Sequence, residues 1–428
     1  MKRVLYIAYY FPPSGGPGVQ RSLKFVRYLP DHGWLPTVVT VDPRHAAWPA
    51  VDPTMLAEVP EQVLVRRTGS WDPYAAYARL KGKTKADSVG VGFAAGEKPG
   101  PFEWLARFVR ANVFLPDARI GWVQSARKAV ESLAEAHRYD AVVTSGPPHS
   151  SHLVGFHARR KLRLPWLADF RDPWSDLSYY DQLPFLPWSR AADRRLEAKV
   201  LTAADRVVTV SDAVAALLRK RGGSDVTVIP NGFDAADFEG VEPRRGDGFR
   251  LVYVGTMTEA QNPEAVWRAV AARRAAGQDI RVELVGAQDA SVTASLEKCG
   301  LTDSVTRRAY VPHREAVAWM KGADLLLLSV PRTAEAGGIL TGKVFEYLAA
   351  GPPILAVGPR ESDLGQLLAR SGAGSLVCHG DAEGAGALID RHYAQPASGD
   401  PRDADYLARY SRPVLAGRLA EELNLISG

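Results

Sequence analysis

The sequence predicts an α/β fold with two doubly wound parallel sheets, and three observations support this prediction. Short apolar runs alternate with segments of helical spacing along most of the chain. The alternation pauses near 212–248 and resumes at Arg250, so it forms two series. A chain of 428 residues is also too long for a single hydrophobic core. We therefore expect two domains, residues 1–212 and residues 225–402, with the C-terminal segment 403–428 packed back on the first.

The first series opens with an apolar strand over Val4–Tyr9 and a loop rich in glycine and proline. A helix follows, because Val19, Leu23 and Val26 fall on one stripe before a proline and a glycine end it. Strand, glycine loop, helix and strand is the order in which a parallel α/β sheet begins. The series continues with strands predicted at Thr37–Val41, Asp140–Ser145, Trp166–Phe170 and Arg206–Val210, and helices at His149–Arg160 and Arg194–Ala204.

The second series repeats this alternation after residue 250. Its predicted strands are Arg250–Gly255, Arg281–Val285, Val305–Val311, Asp324–Val330 and Ile354–Val357, separated by helical segments. Helical spacing returns over Asp403–Leu425, and we expect this terminal helix to pack across the first domain.

One segment, residues 72–122, fits the alternation poorly and is interpreted as an insert in the first domain. It combines lysines with apolar and aromatic residues, a mixture typical of segments that lie on anionic membrane surfaces. The residues concerned are Lys81, Lys83, Lys85, Lys98, Trp104, Phe108, Val113, Phe114 and Leu115. Packing of these aromatic side chains in the core is the preferred explanation, and membrane contact is the alternative.

The composition excludes several classes of protein. Apolar residues make up 46% and charged residues 24% of the chain, which is ordinary for a globular enzyme. No run approaches the roughly 18 apolar residues of a membrane span, and no cleavable signal follows Met1, so we expect a cytoplasmic protein. Cys299 and Cys378 have neither metal-ligand spacing nor the density of a disulfide scaffold, which argues against zinc and redox chemistry.

The charge is uneven along the chain. The net charge of +5 arises from residues 1–240, with 32 Lys and Arg against 25 Asp and Glu, whereas residues 241–428 hold 21 against 23. A membrane surface, a lipid phosphate or a diphosphate would each suit the basic half, and a solvated face without a partner explains it equally well. No motif supports nucleic-acid binding.

The segment Glu335–Pro353 contains the strongest local signal. A glycine-rich loop leads into a short helix that carries Lys343 and Glu346 on one face. Backbone N–H groups of the loop, the positive end of the helix and the lysine suit a nucleotide diphosphate. A surface ion pair between Lys343 and Glu346, with the glycines forming only a turn, explains the segment equally well.

Five segments together resemble the family-4 glycosyltransferases of the GT-B fold. They are Tyr9–Arg21, Ser145–His152, Leu167–Trp174, Val228–Asp234 and Glu335–Pro353, and they follow the family's order over nearly the whole chain. The Asp-Phe-Arg-Asp-Pro-Trp run at Asp169–Trp174 resembles the exopolysaccharide and natural-product type. The resemblance implies two Rossmann-like domains that face each other across a cleft.

In the first domain, the resemblance implies a glycine loop beside the transferred sugar, formed by Gly15, Gly16 and Gly18. It also implies that His149 or His152 contacts the donor sugar, with His149 slightly favoured. Asp169 and Arg171 follow a strand end, where a catalytic role and a structural role are both open. A dinucleotide fingerprint is the rival interpretation of the loop, with Asp42 as its acid, but Arg21 stands where the third glycine belongs.

In the second domain, the resemblance places donor-binding residues after several strands. The implied set is Gly255 and Thr256 near the diphosphate, Val311 and Pro312 near the base, and Glu335, Gly337, Gly338, Lys343 and Glu346 around the sugar, diphosphate and ribose. The chain departs from the family pattern at Gly338, where many relatives carry a glutamate, and Glu335 is the nearest acid. Many relatives also carry an arginine and a lysine after the first strand of this domain, which the chain lacks over Gly255–Pro263. Diphosphate neutralisation therefore falls to Lys343, with Arg332 or Arg171 as helpers.

The resemblance implies an enzyme that moves a sugar from a nucleotide-diphosphate donor to an acceptor hydroxyl. The acceptor is a polysaccharide precursor, a lipid-linked sugar or a small natural product, and retention at the anomeric carbon is the expected outcome. We expect no metal and no other cofactor, since a lysine and a helix terminus can offset the leaving-group charge. A nucleotide-sugar epimerase of the same fold and a non-catalytic nucleotide-sugar-binding protein are the alternatives, and peripheral contact with the inner membrane face stays open.

Overall fold

The computed structural model describes residues 1–46, 48, 50–71, 101–175, 180, 183–333, 336–395 and 402–428. The chain divides into two units, each built around one parallel sheet. The first unit is Met1–Pro230 with Leu415–Gly428, and the second is Asn231–Val414.

The sheet of the first unit has seven parallel strands in the order β3-β2-β1-β4-β5-β6-β7. These strands are β1 (Lys2–Ala8), β2 (Trp34–Val41), β3 (Leu64–Thr68), β4 (Ala141–Gly146), β5 (Trp166–Phe170), β6 (Arg206–Thr209) and β7 (Val226–Val228). The central strands are buried on both faces, which explains why they are continuous apolar runs in the sequence.

Helices cover both faces of this sheet. They are α1 (Pro17–Tyr28), α2 (Pro101–Val113), α3 (Ile120–Ala136), α4 (Ser150–Lys161), α5 (Pro187–Ala203) and α6 (Asp212–Lys220). Successive residues of β1 point to opposite faces, so Leu5 and Ile7 join the core under α3 and α4, whereas Val4 and Tyr6 join the core under α1.

The sheet of the second unit has six parallel strands in the order β10-β9-β8-β11-β12-β13. These strands are β8 (Phe249–Val254), β9 (Ile280–Val285), β10 (Val305–Arg308), β11 (Leu325–Ser329), β12 (Ile354–Val357) and β13 (Gly374–Val377). Its helices are α7 (Glu264–Ala275), α8 (Ala290–Lys298), α9 (His313–Lys321), α10 (Gly342–Ala350), α11 (Asp363–Ser371), α12 (Ala382–Ala394) and α13 (Ala404–Ala408).

The C-terminal helix α14 (Arg412–Ser427) returns to the first unit, where Leu415, Leu419 and Leu423 share a core with α1. The sequence predicts a single helix over Asp403–Leu425, but the structure contains two, α13 and α14. Proline is tolerated only in the first turn of a helix, so a new helix begins just before Pro413. The residues of α13 pack against the core of the second unit instead.

The predicted fold class, with two doubly wound parallel sheets and a returning C-terminal helix, is confirmed. Three strands were not predicted, namely β3, β7 and β13. Each lies at the edge of its sheet, with one neighbouring strand and a short or partly exposed sequence. The strand predicted over Val305–Val311 ends earlier, at Arg308, and the remaining residues form a loop.

Residues 72–100 of the predicted insert, including its lysines, lie outside the described residues. The described part contains α2, whose side chains were expected to pack in the core. That expectation concerned the aromatic side chains, and it is wrong for Trp104, which is 49% exposed; Val113 is also exposed. In the part of the chain that the structure describes, no helix combines the length and apolar character required to cross a membrane.

Candidate functional site

The carboxyl ends of β8 and β11 form the switch point of the second sheet. The two strands are neighbours, and the strand order runs outward from them in opposite directions. Open α/β sheets bind ligands in the crevice at such a point. Gly255 follows β8, and the loop containing Gly337 and Gly338 follows β11 and leads to α10. The structure therefore brings together several of the residues that the sequence singles out.

Lys343, in the first turn of α10, reaches across to the loop after β8. Its Nζ donates to the Tyr253 hydroxyl at 2.6 Å and to the Thr256 carbonyl at 3.3 Å. Tyr253 in turn donates to the same Thr256 carbonyl at 2.7 Å. Burial of the ammonium group lowers the pKa of Lys343 to about 8, although the charge of Glu346 opposes this shift.

Gly255 is required by both its conformation and its surroundings. Its φ is +115°, a left-handed value that side chains rarely adopt. A Cβ atom at this position would lie 2.7 Å from Cε of Lys343, so a side chain would displace the lysine. The position therefore allows the lysine to lie directly against the backbone of the loop.

The N-terminus of α10 adds further positive character beside Lys343. Thr341 is its N-cap residue but makes no capping hydrogen bond through its side chain. The first-turn N–H groups of an α-helix carry partial positive charge and suit an anionic ligand. An ammonium group and a helix N-terminus are thus located at the same place.

Glu346 lies one turn further along α10 and accepts a hydrogen bond at 3.0 Å from Nε2 of His313. Burial favours the protonated acid, but the His313 bond and the charges of His313, Arg412 and Lys343 keep the pKa of Glu346 below its usual value. The side chain of Glu346 is 24% exposed, so it can accept further hydrogen bonds from a ligand.

His313 is a site residue that the sequence analysis missed. It is the first residue of α9 and directly follows Val311 and Pro312, which lie in the loop after β10. Its position next to this predicted base-binding segment is the signal that could have identified it. Lys343 and Glu346 each bind a group on another element, namely Tyr253 and His313. This argues against the interpretation in which the two residues form only a surface ion pair with each other.

Two further predicted residues of the second unit, Gly337 and Gly338, lie between β11 and α10. Gly337 and Gly338 form a short 3₁₀ turn with Ala336, whereas Glu335 lies outside the described residues. A cavity of about 440 Å³ opens at the carboxyl ends of β11, β12 and β13. It is lined by Arg332, Thr333, Ala336, Gly358, Pro359, Cys378 and His379.

In the first unit, Arg171 ties two loops together. Its Nε donates to the Gly146 carbonyl at 3.1 Å, and its two terminal nitrogens donate to the Gly18 and Pro147 carbonyls. These bonds join the glycine loop after β1 to the loop after β4. In the glycine loop after β1, Gly16 has a φ of +88° and is the N-cap of α1, and the backbone N–H of Gly15 donates to the Ala50 carbonyl at 2.9 Å. These contacts favour the structural role of Arg171 over the catalytic one.

Asp169 forms a buried ion pair with Arg21. Nε and Nη2 of Arg21 donate to its two carboxylate oxygens at 2.8–3.1 Å, and Ser145 donates to it at 3.1 Å. Both side chains of the pair are 1% exposed. Nη1 of Arg21 also holds the Pro230 carbonyl at 2.9 Å. An aspartate enclosed in this way has no free oxygen for an acceptor, which favours the structural role over the catalytic one.

The two candidate histidines differ in their surroundings. His152 is fully buried, stacks on Phe170 with a centroid distance of 4.1 Å, and shares a hydrogen bond of 2.8 Å between its Nδ1 and the Thr144 hydroxyl. His149 precedes α4, is 5% exposed, and lacks a hydrogen-bond partner at either ring nitrogen. Burial lowers the pKa of His149 to about 4 and that of His152 far below its usual value, so both rings are neutral at pH 7. Of the two, His149 is better placed to meet a ligand.

Within the described ranges, no group of three or more His, Cys, Asp or Glu side chains is arranged to hold a metal ion. The positive charge at the candidate site is instead supplied by Lys343 and the start of α10.

Family comparisons match both halves of the chain. Residues 88–237 match the description Glycosyltransferase Family 4, and residues 235–404 match Glycosyl transferases group 1. One curated relative, a D-inositol 3-phosphate glycosyltransferase from Paenarthrobacter aurescens (strain TC1), is 26% identical over 242 residues. This match covers 51% of the chain and 56% of the relative, so the chain spans about half the length of that protein.

Solved structures share the fold over the full length. Anabaena Alr3699/HepE, in complex with UDP and glucose, has a TM-score of 0.61 at 15% identity, covering 99% of this chain and 100% of that one. A sucrose-phosphate synthase from Thermosynechococcus elongatus has a TM-score of 0.60 at 16% identity, covering 100% and 96%. At these identities the likeness concerns the fold alone.

Proposed function

The chain belongs to the family-4 glycosyltransferases, and from this premise we propose that it transfers a sugar from a nucleotide-diphosphate donor to an acceptor hydroxyl. One observation supports the proposal above all others. At the switch point of the second sheet, an ammonium group, a helix N-terminus and a partly exposed carboxylate lie within one turn of α10. This set suits a diphosphate followed by a ribose.

Each residue has a proposed role. Lys343 and the first turn of α10 hold the diphosphate, and Gly255 leaves room for the lysine beside it. Glu346 accepts hydrogen bonds from ribose hydroxyls, and His313 fixes the carboxylate in its ionised form. His149 contacts the transferred sugar as a neutral ring that can donate and accept hydrogen bonds.

The leaving diphosphate gains negative charge as the bond to the sugar breaks. A fixed ammonium group and oriented backbone N–H groups stabilise that charge more in the transition state than in the bound donor. We propose retention at the anomeric carbon by analogy with the family. NMR of the product checks this, and an inverted anomer would contradict it.

The acceptor is proposed at the level of chemical class. The excess of positive charge in residues 1–240 favours an anionic acceptor such as a phosphorylated polyol or a lipid-linked phosphate. The relative from Paenarthrobacter aurescens is a D-inositol 3-phosphate glycosyltransferase, which supports including inositol phosphate among the acceptors tested.

A turnover assay tests the proposed function. UDP, GDP, TDP and ADP sugars are incubated with a panel of phosphorylated polyols, lipid-linked sugars and neutral glycosides, and glycosylated product is followed by mass spectrometry. We expect one nucleotide class to give product only when an acceptor is present. Conversion of the donor without acceptor would instead support an epimerase, and donor binding without turnover would support a non-catalytic protein.

Replacement of Glu346 by glutamine is expected to weaken donor binding by about 1–3 kcal/mol, because a charged acceptor of ribose hydroxyls is lost. The donor KM measures this effect. His313→Phe should raise the KM in the same direction but less, since it acts through Glu346. Glu315→Gln, which alters a 42%-exposed carboxylate on α9, is the matched control. An unchanged KM in Glu346→Gln would reject the ribose assignment.

Activity is expected to be independent of divalent metal ions. Lys343 and the start of α10 provide positive charge where a metal ion would otherwise neutralise the diphosphate. Rates are compared in EDTA and in added magnesium or manganese. Loss of activity in the chelator, with recovery on adding either ion, would show that this expectation is wrong.

Peripheral contact with an anionic membrane is proposed for α2. The helix exposes Trp104 and Val113, and lysines 81, 83 and 85 precede it in the sequence. Apolar and aromatic side chains next to basic ones suit the interface of an anionic bilayer. The fraction of protein that co-sediments with phosphatidylserine vesicles should be lower for Trp104→Ser than for the parent. If the parent protein does not bind these vesicles, the proposed membrane contact is rejected.

A further inference from the structure

Helix α5 carries two buried carboxylates, Asp193 and Glu197, one turn apart on one face. Both residues are 0% exposed. Burying a carboxylate is costly unless several donors satisfy it. Two such groups on consecutive turns therefore indicate that the helix holds something in place.

The partners of these two acids come from one short stretch of chain. Asp193 accepts from the indole Nε1 of Trp174 at 3.0 Å and from the Tyr180 hydroxyl at 2.7 Å. Glu197 accepts from the hydroxyl and the backbone N–H of Ser175. The helix thus fixes the chain that directly follows the Arg171–Asp172 pair of the predicted motif.

Trp174 is in turn the stacking partner of His149. The two rings are nearly parallel, with a centroid distance of 5.0 Å and an angle of 11° between planes. Phe170 stacks on the other histidine and also lies 5.8 Å from His149. The Pro173 backbone acts on the His149 ring, but neither ring nitrogen has a well-formed hydrogen bond, so stacking on Trp174 is a main constraint on the orientation of the imidazole. The orientation of His149 therefore depends on how firmly Trp174 is held.

The backbone beneath His149 is held from the opposite side. Asp117 accepts from the Ser150 N–H at 2.8 Å and from the Ser150 hydroxyl at 2.7 Å, and so caps α4. The charged and titratable groups that act on His149 are Asp117, Arg171 and the neighbouring His152, whose ring centroid lies 5.9 Å away. Backbone capping and ring stacking together leave the imidazole little freedom.

We infer that Asp193 is a positioning residue for the sugar transfer, which orients the imidazole of His149 by holding the indole N–H of Trp174. This inference rests on the proposed function and on the sugar-contacting role of His149. Asp193 is 0% exposed and its two oxygens bind Trp174 and Tyr180 inside the first unit, so it acts through these residues and not by touching a ligand. A displacement of about 1 Å in a reacting group can lower a rate roughly 100-fold.

Three variants separate positioning from packing. Asp193→Leu fills the site with a larger apolar side chain and removes both acceptors, whereas Asp193→Asn keeps the size and an acceptor for the indole. Trp174→Phe keeps a stacking ring but removes its N–H donor. We expect kcat to fall about 10- to 100-fold in Asp193→Leu, less in Trp174→Phe, and to stay within about threefold of the parent in Asp193→Asn. Affinity for the nucleoside diphosphate should be unchanged in all three, because that ligand binds at Lys343 and Glu346.

The double variant Asp193→Leu/Trp174→Phe gives a second kinetic test. If both residues act through one hydrogen bond, the double variant is no slower than Asp193→Leu alone. Additive losses, or a kcat of Asp193→Leu equal to that of the parent, would overturn the inference. If Asp193→Leu does not fold by circular dichroism, Trp174→Phe and Asp193→Asn supply the same comparison.

NMR of the histidine rings tests the positioning without any need for turnover. Spectra of protein labelled at histidine are assigned with His149→Gln and titrated with pH. Burial lowers the pKa of His149 to about 4, so a loosened Trp174 should admit water and raise this pKa towards 6.5. An unchanged His149 titration in Asp193→Leu contradicts the inference. If the His149 titration shifts in Asp193→Leu but the parent protein transfers no sugar, the link from Asp193 through Trp174 to His149 is supported and only the proposed function is rejected.

Discussion

Lys343→Ala is expected to lower kcat about 100- to 1,000-fold, the range found when one group that stabilises transition-state charge is removed. The ammonium group of Lys343 is held by Tyr253 and Thr256 before any donor arrives, so it is positioned for the leaving diphosphate. The donor KM should change less than kcat, because the charge on the diphosphate grows as the sugar departs. Steady-state kinetics with the donor identified in the turnover assay measure both constants.

A matched control distinguishes the loss of a positive charge at Lys343 from the loss of a positive charge elsewhere in the second unit. Lys298→Ala removes a lysine from the last turn of α8 in the same unit, far from α10 in sequence, and should leave kcat unchanged. A kcat of Lys343→Ala within about threefold of the parent would reject the assigned role of the lysine.

The pH dependence of kcat/KM provides an independent view of the same residue. Burial lowers the pKa of Lys343 to about 8, so its charge is present below this pH and is lost as the pH rises through it. We therefore expect kcat/KM, which reports the free enzyme, to fall above about pH 8. Lys343→Arg should abolish this alkaline decline, because a guanidinium group stays protonated throughout the range. An alkaline decline that persists in Lys343→Arg would have to arise from another group.

Asp169→Ala is expected to lower the free energy of unfolding by about 3–5 kcal/mol, because it leaves the buried guanidinium of Arg21 without its partner. The effect should be as large in Arg21→Met. In the double variant Arg21→Met/Asp169→Leu, part of the loss should be recovered, since no unpaired charge remains buried. Urea unfolding measures all three against the parent.

The same variants decide between the two roles that the sequence leaves open for Asp169. A structural role predicts that stability falls and that any remaining folded protein still binds the donor. If Asp169→Ala unfolded at the same urea concentration as the parent but transferred no sugar, the aspartate would be a catalytic residue after all. Its enclosure by Arg21 and Ser145 favours the first outcome.

The central strands of both sheets could be predicted from the sequence because they are buried on both faces. The strand Trp166–Phe170 is predicted with its observed bounds, since each of its residues is apolar or fully enclosed. The edge strand Leu64–Thr68 alternates exposed and partly buried residues and contains two arginines, so no continuous apolar run marks it. Its place is fixed by hydrogen bonds to β2, which no local pattern records.

The candidate site was predictable where one segment contains the signal. Lys343 and the glycines before it lie in one run, and Gly255 ends a clear strand. The partners of these residues were not predictable, because they come from distant parts of the chain. His313 is 33 residues from Glu346. Arg171 binds backbone carbonyls, and a sequence does not show which carbonyls a side chain will bind. From the sequence alone, a charged residue in such a motif therefore suggests catalysis.

Calorimetric titration with UDP, GDP, TDP and ADP tests the central claim most directly, namely that the second unit binds a nucleoside diphosphate through Lys343 and Glu346. We predict that the parent protein binds one of the four and that both Lys343→Ala and Glu346→Ala weaken this binding, by about 1–3 kcal/mol each. Binding by the parent that is undiminished in the two variants, or no binding of any of the four, would contradict the account.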